Sequence, residues 1–237
     1  NKGKAVYVEK PLALDMQSIT DIEESIYRSE NPKLFIGFNR RFSKSAQFIK
    51  QKLINSPANS INLRFSVPPL DSDHWTNIKE IGGGRIVGEA VHGIDLACYL
   101  FDSLPQSISA SAPVDKTNNM VKDNQVFLNI NFANGSHASL QYFSEANQIL
   151  SKERIEVHGE GNSYILEDYK MLRFLEGSQD RSKTFSTGKG HKESLSIFFD
   201  YVRDKSQNPF TWEEIKAVSK AAITAQDHIN SGQQHNV

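Results

Sequence analysis

The sequence predicts an α/β (α+β) protein with an open, largely antiparallel sheet, helices on one face of that sheet, and a βαβ unit at the amino-terminal end. Three observations lead to this prediction. An apolar strand, a helix and a second apolar strand follow one another before residue 42, the middle of the chain alternates between apolar and polar residues, and the last part has helical periodicity.

The amino-terminal part of the chain predicts the βαβ unit. Residues 5–8 form a short apolar strand, and a helix begins between residues 15 and 20, with Thr20 and Glu23 at the spacing of a capping box. Residues 34–38 are apolar without alternation, which indicates a strand covered on both faces. Strand, helix and strand in this order predict a parallel pair joined by a right-handed crossover.

The middle of the chain predicts the antiparallel sheet. Residues 61–67 alternate strictly, and two more alternating runs, 126–132 and 138–142, flank an Asn-Gly turn. A second hairpin is predicted over residues 154–167, and residues 171–175 add a further strand. One face of this sheet is therefore expected to be buried and the other to differ in character.

Helices are predicted around residues 44–53, 89–101 and in the tail. In the tail, one helix would bury a face formed by Leu195, Phe198, Phe199 and Val202. A second helix would start at a capping box made by Thr211 and Glu214.

Composition limits the possible functions. The chain has 237 residues, with 27 Lys and Arg against 28 Asp and Glu and a formal net charge of -1, so nucleic acid and membrane surfaces are poor candidate partners. No apolar stretch is long enough to cross a bilayer, and the single cysteine, Cys98, suits a reducing compartment. We therefore expect a cytoplasmic protein. Because it starts at Asn1 without a signal sequence, we also expect a piece of a longer polypeptide.

Two basic residues follow the predicted parallel strands. Lys10 comes after the first strand and Arg40 after the second. Because ligands of open α/β sheets bind outside the carboxyl ends of the strands, both residues are candidates for one crevice. A solvated lysine in a turn is the alternative.

His92 is the histidine with possible partners at helical spacing. Glu89 lies three residues before it and Asp95 three residues after it, so both carboxylates can lie within one turn of the imidazole. Such a cluster can tune a histidine for proton transfer, but the same spacing also fits an ordinary surface ion pair.

Neither glycine cluster is a dinucleotide-binding loop. Residues 82–84 and 159–161 do not continue as G-x-G-x-x-G, and no histidine has the spacing of a metal ligand. The sequence therefore predicts no metal site.

The order of four motifs resembles the glucose-fructose oxidoreductase, inositol dehydrogenase and rhizopine-catabolism (Gfo/Idh/MocA) family. The motifs are Val-Glu-Lys-Pro-Leu-Ala at 8–13, Gly-Phe-Asn-Arg-Arg-Phe at 37–42, Trp75 before the glycines at 82–84, and His-Gly-Ile-Asp at 92–95. The resemblance implies that residues 1–42 are the end of a dinucleotide-binding (Rossmann) domain and that residues 43–237 are the C-terminal substrate and oligomerisation domain.

The resemblance also implies a function and a set of site residues. The family transfers a hydride between NAD or NADP and a hydroxyl of a sugar, sugar nucleotide or polyol, and its open sheet often forms homo-oligomers. Lys10 would face the nicotinamide and the substrate hydroxyl, Glu9 and Pro11 would shape the cofactor side, and His92 would act with Lys10 on the substrate oxygen. The sugar or polyol pocket would be lined by Arg40, Trp75 and Asp95.

The sequence departs from the family pattern in two places. Gly88 stands where the family has a catalytic aspartate four residues before the histidine. Glu89 is the candidate to replace it, but it is rotated about 100 degrees around a helix from that position, so both replacement and loss of this group stay open. This Gly-Glu-x-x-His variant resembles the branch in which the module follows a zinc-type alcohol dehydrogenase domain. The glycine-rich loop is also missing, so we expect the chain alone to be inactive.

Two alternatives remain open at this point. The fold could be kept while the chemistry is lost, which would make the chain a non-catalytic binding or dimerisation module. Chance motifs in an unrelated α+β domain are the other alternative, and they predict that Lys10 and His92 lie apart.

Overall fold

The computed structural model describes residues 4–30, 32–55, 57–69, 79–115, 120–121, 124–186 and 188–231. The strands in these ranges are β1 (Val6–Val8), β2 (Leu34–Ile36), β3 (Ser60–Ser66), β4 (Pro105–Ser111), β5 (Val114–Asp115), β6 (Met120–Val121), β7 (Gln125–Phe132), β8 (His137–Phe143), β9 (Glu153–Gly159), β10 (Asn162–Glu167), β11 (Met171–Glu176) and β12 (Gln179–Thr184). The α-helices are α1 (Met16–Tyr27), α2 (Lys44–Leu53), α3 (Lys79–Gly82), α4 (Val91–Phe101), α5 (His191–Val202) and α6 (Trp212–Asn230).

The amino-terminal βαβ unit forms as predicted. Strand β1 pairs in parallel with β2, and α1 connects them. The start of α1 differs in detail, because Asp15 caps it by accepting a hydrogen bond from the backbone N–H of Ser18. Thr20 lies inside the helix and donates to the carbonyl of Met16, so the predicted capping box at Thr20 is wrong.

The large sheet has eight strands in the order β12-β11-β10-β9-β3-β8-β7-β4. Adjacent strands of this sheet are antiparallel, except β3 and β8, which run parallel to each other. The two predicted hairpins are β7–β8 and β9–β10. The predicted fold class is confirmed by this architecture.

Two strands of the large sheet, β4 and β12, were not predicted, and neither were the short strands β5 and β6; the composition of β4 and β12 explains why they were missed. Strand β12 is exposed along its whole length and carries no apolar residue, so it has no alternation to detect. Strand β4 starts with proline and is rich in serine, which are both weak signals for a strand.

Helices α4 and α6 cover the buried face of the sheet. In the sheet, Ile61, Leu63 and Leu140 are buried, and α4 is buried along nearly all of its length. The predicted capping box at the start of α6, between Thr211 and Glu214, is present. One continuous apolar core joins the βαβ unit to the rest of the chain. The division into domains 1–42 and 43–237 stays a prediction.

Helix α5 is turned differently from the prediction. Leu195 and Phe199 are 45% and 51% exposed, whereas Ser194 is buried and Ile197 and Phe198 pack against the core. The predicted face is therefore wrong by part of a turn, because two apolar residues of this helix face outward.

Candidate active site

Lys10 lies where β1 ends and reaches across to the segment before α4. Its Nζ donates to the carbonyl oxygen of Gly88 at 2.6 Å and to Oε1 of Glu89 at 2.9 Å. The side chain of Lys10 is 15% exposed and that of Glu89 is 28% exposed. A partly buried ion pair therefore holds the lysine against the turn that leads into α4, close enough for its charge to act on the imidazole of His92.

A π-helical turn, Ile86–Ala90, places Glu89 in this pair. The backbone N–H of Val91 donates to the carbonyl of Ile86, five residues earlier, before the chain continues as α4. A π turn contains one more residue than an α turn, so it shifts the register of the residues that precede it. Glu89 lies within this turn, and its carboxylate meets Lys10.

Gly88 has no room for a side chain. A Cβ built there would lie 2.9 Å from the carbonyl oxygen of Gly82. The aspartate that the family resemblance would place at residue 88 does not fit in this backbone, whereas Glu89 does reach the lysine.

His92 is buried in the first turn of α4, with 3% of the residue exposed. Its ring meets that of Phe38 edge to face at 6.3 Å, and its Nδ1 has no hydrogen-bond partner in the described part of the chain. Burial, helped by the charges of Arg40, Lys10, Lys189 and His191, holds the pKa of His92 well below its usual value. The imidazole is therefore neutral at neutral pH.

Arg40 takes part in a second buried ion cluster beside His92. Its Nη2 donates to Oε1 of Glu153 at 2.9 Å, and its Nη1 donates to Oδ1 of Asn39 at 3.0 Å. Lys189 also donates to Oε1 of Glu153. Although burial opposes ionisation, the two cations lower the pKa of Glu153 to about 2. One carboxylate is thus shared by two cations.

Asp95 faces away from this cluster. It accepts two hydrogen bonds from Arg41, at 2.6 Å and 3.2 Å, and both residues are buried. Nη1 of Arg41 also lies 3.4 Å from Oε1 of Glu214. The structure therefore places Asp95 in an ion cluster of its own, apart from the contacts of Lys10.

The remaining predicted residues lie near the end of β1 or outside the description. Glu9 is exposed beside Gly37, where a Cβ would lie 2.6 Å from the Glu9 carboxylate, and Pro11 follows a cis peptide bond with Lys10. Trp75 lies outside the described residues.

Three functional candidates escaped the sequence reasoning: Glu153, Lys189 and Tyr169. Glu153 begins β9 in a run of ordinary alternation, so only its burial marks it. Tyr169 is fully buried, and burial together with the negative charge of Glu153 raises the pKa of its hydroxyl well above the usual value. For Lys189 a signal existed, since it stands between Gly188 and Gly190 directly before a helix.

The described residues include no group of three or more His, Cys, Asp or Glu that could hold a metal ion. Among the described helices, none has the length and apolar character that a membrane span requires.

Comparison with known proteins identifies the class of this domain. The GFO/IDH/MocA C-terminal domain model matches residues 57–165. Together with the relatives below, this match confirms the predicted Gfo/Idh/MocA-like C-terminal part.

Two curated relatives are inositol dehydrogenases. The chain is 27% identical to the inositol 2-dehydrogenase of Rhizobium meliloti over 177 residues, covering 71% of this chain and 51% of the relative. It is 22% identical to the myo-inositol 2-dehydrogenase of Thermotoga maritima, covering 97% of this chain and 66% of the relative. The chain thus spans about half of the first relative's length and about two thirds of the second's.

Solved structures show the same fold. The aldose-aldose oxidoreductase from Caulobacter crescentus complexed with glycerol superposes with a TM-score of 0.82 at 15% identity, covering 99% of this chain and 72% of that one.

Proposed function

We propose that this chain is part of an oxidoreductase that transfers a hydride between NAD or NADP and a hydroxyl group of a sugar, sugar nucleotide or polyol. The observation that carries the proposal is the pairing of Lys10 with Glu89 beside the buried, neutral His92. The names of the relatives, which are inositol and aldose oxidoreductases, support the substrate class.

Lys10 and His92 have different roles in the oxidation of the substrate hydroxyl. When an alcohol is oxidised, its carbon loses a hydride and its oxygen loses a proton, and the oxygen becomes a carbonyl. A neutral imidazole can accept that proton, and the ammonium of Lys10 can stabilise the negative charge that develops on the oxygen. Glu89 and the carbonyl of Gly88 keep the ammonium in place.

The chain fits the substrate side of a nicotinamide site. The carboxyl ends of the parallel strands β1 and β2 carry Lys10 and Arg40, and the unpartnered Nδ1 of His92 is a buried polar atom that a ligand could satisfy. The nicotinamide would supply the hydride acceptor when bound, next to residues 9–11. A glycine-rich binding loop would have to come from other residues of the complete polypeptide.

Two substitutions test this function in the complete polypeptide. Lys10→Ala and His92→Ala should each lower kcat/KM for sugar or polyol oxidation by about 10²- to 10⁴-fold, because each removes a group that acts on the reacting oxygen. The control is Lys192→Ala, because Lys192 is an exposed lysine on α5. This variant should keep the parent rate. Unchanged rates in both site variants would contradict the proposal.

A non-catalytic assembly module is the second candidate, and Gly88 favours it because this position cannot hold the aspartate of the family pattern. Fluorescence titration of the complete polypeptide with NADH and NADPH separates the candidates. Saturable binding supports the enzyme, and its absence supports the assembly module.

The open face of the sheet is the proposed homo-oligomer interface. Phe127 and Met171 are 40% and 63% exposed at opposite ends of this face. Light scattering after chromatography should show a smaller assembly for Met171→Glu than for the control Tyr27→Glu, whose residue lies on α1 and is 70% exposed. Equal masses for parent and Met171→Glu would argue against this interface.

A further inference from the structure

Among the described residues, the ion pairs beside His92 join three cations, Lys10, Arg40 and Lys189, to two carboxylates, those of Glu89 and Glu153. Lys10 pairs with Glu89, but Arg40 and Lys189 share the single carboxylate of Glu153. Glu153 is 1% exposed, so water offers it and its partners little screening. Within the described part of the chain, these three cations therefore share two carboxylates, and Arg40 and Lys189 bind the same one.

Lys189 is the more exposed of the two cations that share Glu153. Its side chain is 23% exposed, against 9% for Arg40. The backbone around it is held firmly, because its carbonyl accepts a hydrogen bond from Nδ2 of Asn39 at 2.7 Å. Gly190, in the left-handed region at φ 84°, packs so closely that a Cβ would lie 2.4 Å from the carbonyl oxygen of Asn39. This close approach fixes the start of α5, and with it Lys189, against the Arg40 segment.

The positive charges of this cluster act on His92, the proposed proton acceptor. The strongest charge effects on the His92 imidazole come from Arg40, Lys10, Lys189 and His191, and each lowers its pKa. Burial and Arg40 also lower the pKa of Lys189 itself, although Glu153 opposes this. Among the described residues, the charges that act most strongly on the His92 imidazole are thus all positive.

We propose that the substrate carries an anionic group, a carboxylate or a phosphoryl group, that Lys189 binds next to the Arg40–Glu153 pair. This inference rests on the proposed function and narrows its substrate class to acidic sugars or sugar phosphates. A charge-assisted hydrogen bond from Lys189 would fix the sugar, while Lys10 and His92 act on the hydroxyl to be oxidised. Binding of the anion would offset the potential at His92 and make the imidazole a better proton acceptor.

Matched substrate pairs test this inference in the complete polypeptide with its nicotinamide cofactor. Glucuronate is compared with glucose, galacturonate with galactose, and glucose 6-phosphate with glucose, by kcat/KM and by equilibrium binding in a calorimeter. At least one anionic member should be preferred by about tenfold or more over its neutral partner. The carboxylate and phosphate arms show which anion the site takes.

Variants of Lys189 and Lys192 show whether Lys189 causes the preference for the anionic substrate. Lys189→Gln should reduce the anionic-to-neutral preference by about tenfold, and Lys189→Arg should restore most of it. Lys192→Gln, an exposed neighbour, should leave the preference unchanged. If Lys189 had a merely structural role, Lys189→Gln would lower kcat/KM and binding equally for the anionic and the neutral member of a pair.

The outcomes separate this inference from the proposed function. Oxidation of neutral sugars without any preference for an anionic partner overturns the inference and leaves the proposed function intact. If no sugar, sugar nucleotide or polyol is oxidised, the proposed function fails. The calorimetric measurement still tests the anion site, because equal binding of both members of every pair overturns it.

Discussion

Two adjacent arginines enter two different buried ion clusters, and their carboxylates respond in opposite ways. Arg40 binds Glu153, which is shared with Lys189, and the pKa of Glu153 falls to about 2. Arg41 binds Asp95 and also contacts Glu214, and burial raises the pKa of Asp95 to about 6. The first cluster has two cations for one carboxylate, and the second has one cation for two.

This difference distinguishes a cluster suited to a ligand from one suited to packing. The Arg40 cluster lies beside His92 and includes the partly exposed Lys189. The Arg41 cluster is enclosed by aromatic rings, with the guanidinium 4.5 Å from the ring centre of Phe210 and 5.3 Å from that of Tyr99. We therefore assign Asp95 a positioning role, because it ties the helix that carries His92 to the Arg41 segment.

The largest effect should come from removing Arg41. Arg41→Met leaves Asp95 buried without its cation and should lower the free energy of unfolding by about 3–5 kcal/mol. Arg40→Met should cost less, because Glu153 keeps Lys189. Urea denaturation of both variants measures the difference, and an equal or larger loss for Arg40→Met would show that the clusters do not differ in this way.

The second effect concerns acid stability. The pKa of Glu153 is lowered in the folded state to about 2, so its contribution is present above its ordinary pKa and is lost as the pH falls toward 2. The loss should be roughly 3 kcal/mol between pH 5 and pH 2. Glu153→Gln should remove this part of the pH dependence, as measured by thermal unfolding across that range. An unchanged acid slope would contradict the assignment.

Asp95 should show the opposite sign. Its pKa is raised in the folded state to about 6, so its contribution to stability is greatest at low pH and is lost as the pH rises from about 4 through 6. Asp95→Asn should flatten that decline by about 1–3 kcal/mol. The comparison of denaturant midpoints at pH 4 and pH 7 checks this, with the parent chain as control, and a steeper decline in the variant would exclude it.

The smallest effect concerns the capping box of α6, whose Glu214 is the second carboxylate of the Arg41 cluster. Oε2 of Glu214 accepts a hydrogen bond from the backbone N–H of Thr211 in the capping box of α6, while Oε1 meets Arg41. Thr211→Ala should cost about 1 kcal/mol of stability, and Thr211→Ser should cost less because it keeps the hydroxyl cap. Equal losses in both variants, measured by chemical denaturation, would mean that the cap is not the stabilising feature.

Much of the fold could be predicted because it is encoded in local patterns. The parallel unit, the hairpins β7–β8 and β9–β10 and the capping box of α6 all come from short runs of residues with clear periodicity or turn chemistry. Strand β12 and the outward face of α5 could not be predicted, since polar strands and exposed apolar residues carry no such pattern.

The site was only partly predictable for the same reason. Lys10, Glu89 and His92 were candidates from the sequence. The spacing of Glu89 and His92 alone also fitted an ordinary surface ion pair, and Lys10 alone also fitted a solvated lysine in a turn. Glu153 lies 113 residues from Arg40, and no local pattern links them.

The sequence by itself determined the fold class and the resemblance of its C-terminal part to the Gfo/Idh/MocA domain, because periodicity and short motifs survive without coordinates. Only the tertiary structure decided how the charges are grouped. Glu89 in the π turn meets Lys10, and neighbouring arginines go to separate carboxylates. Those outcomes depend on side-chain direction and burial, which are properties of the packed molecule rather than of the order of residues.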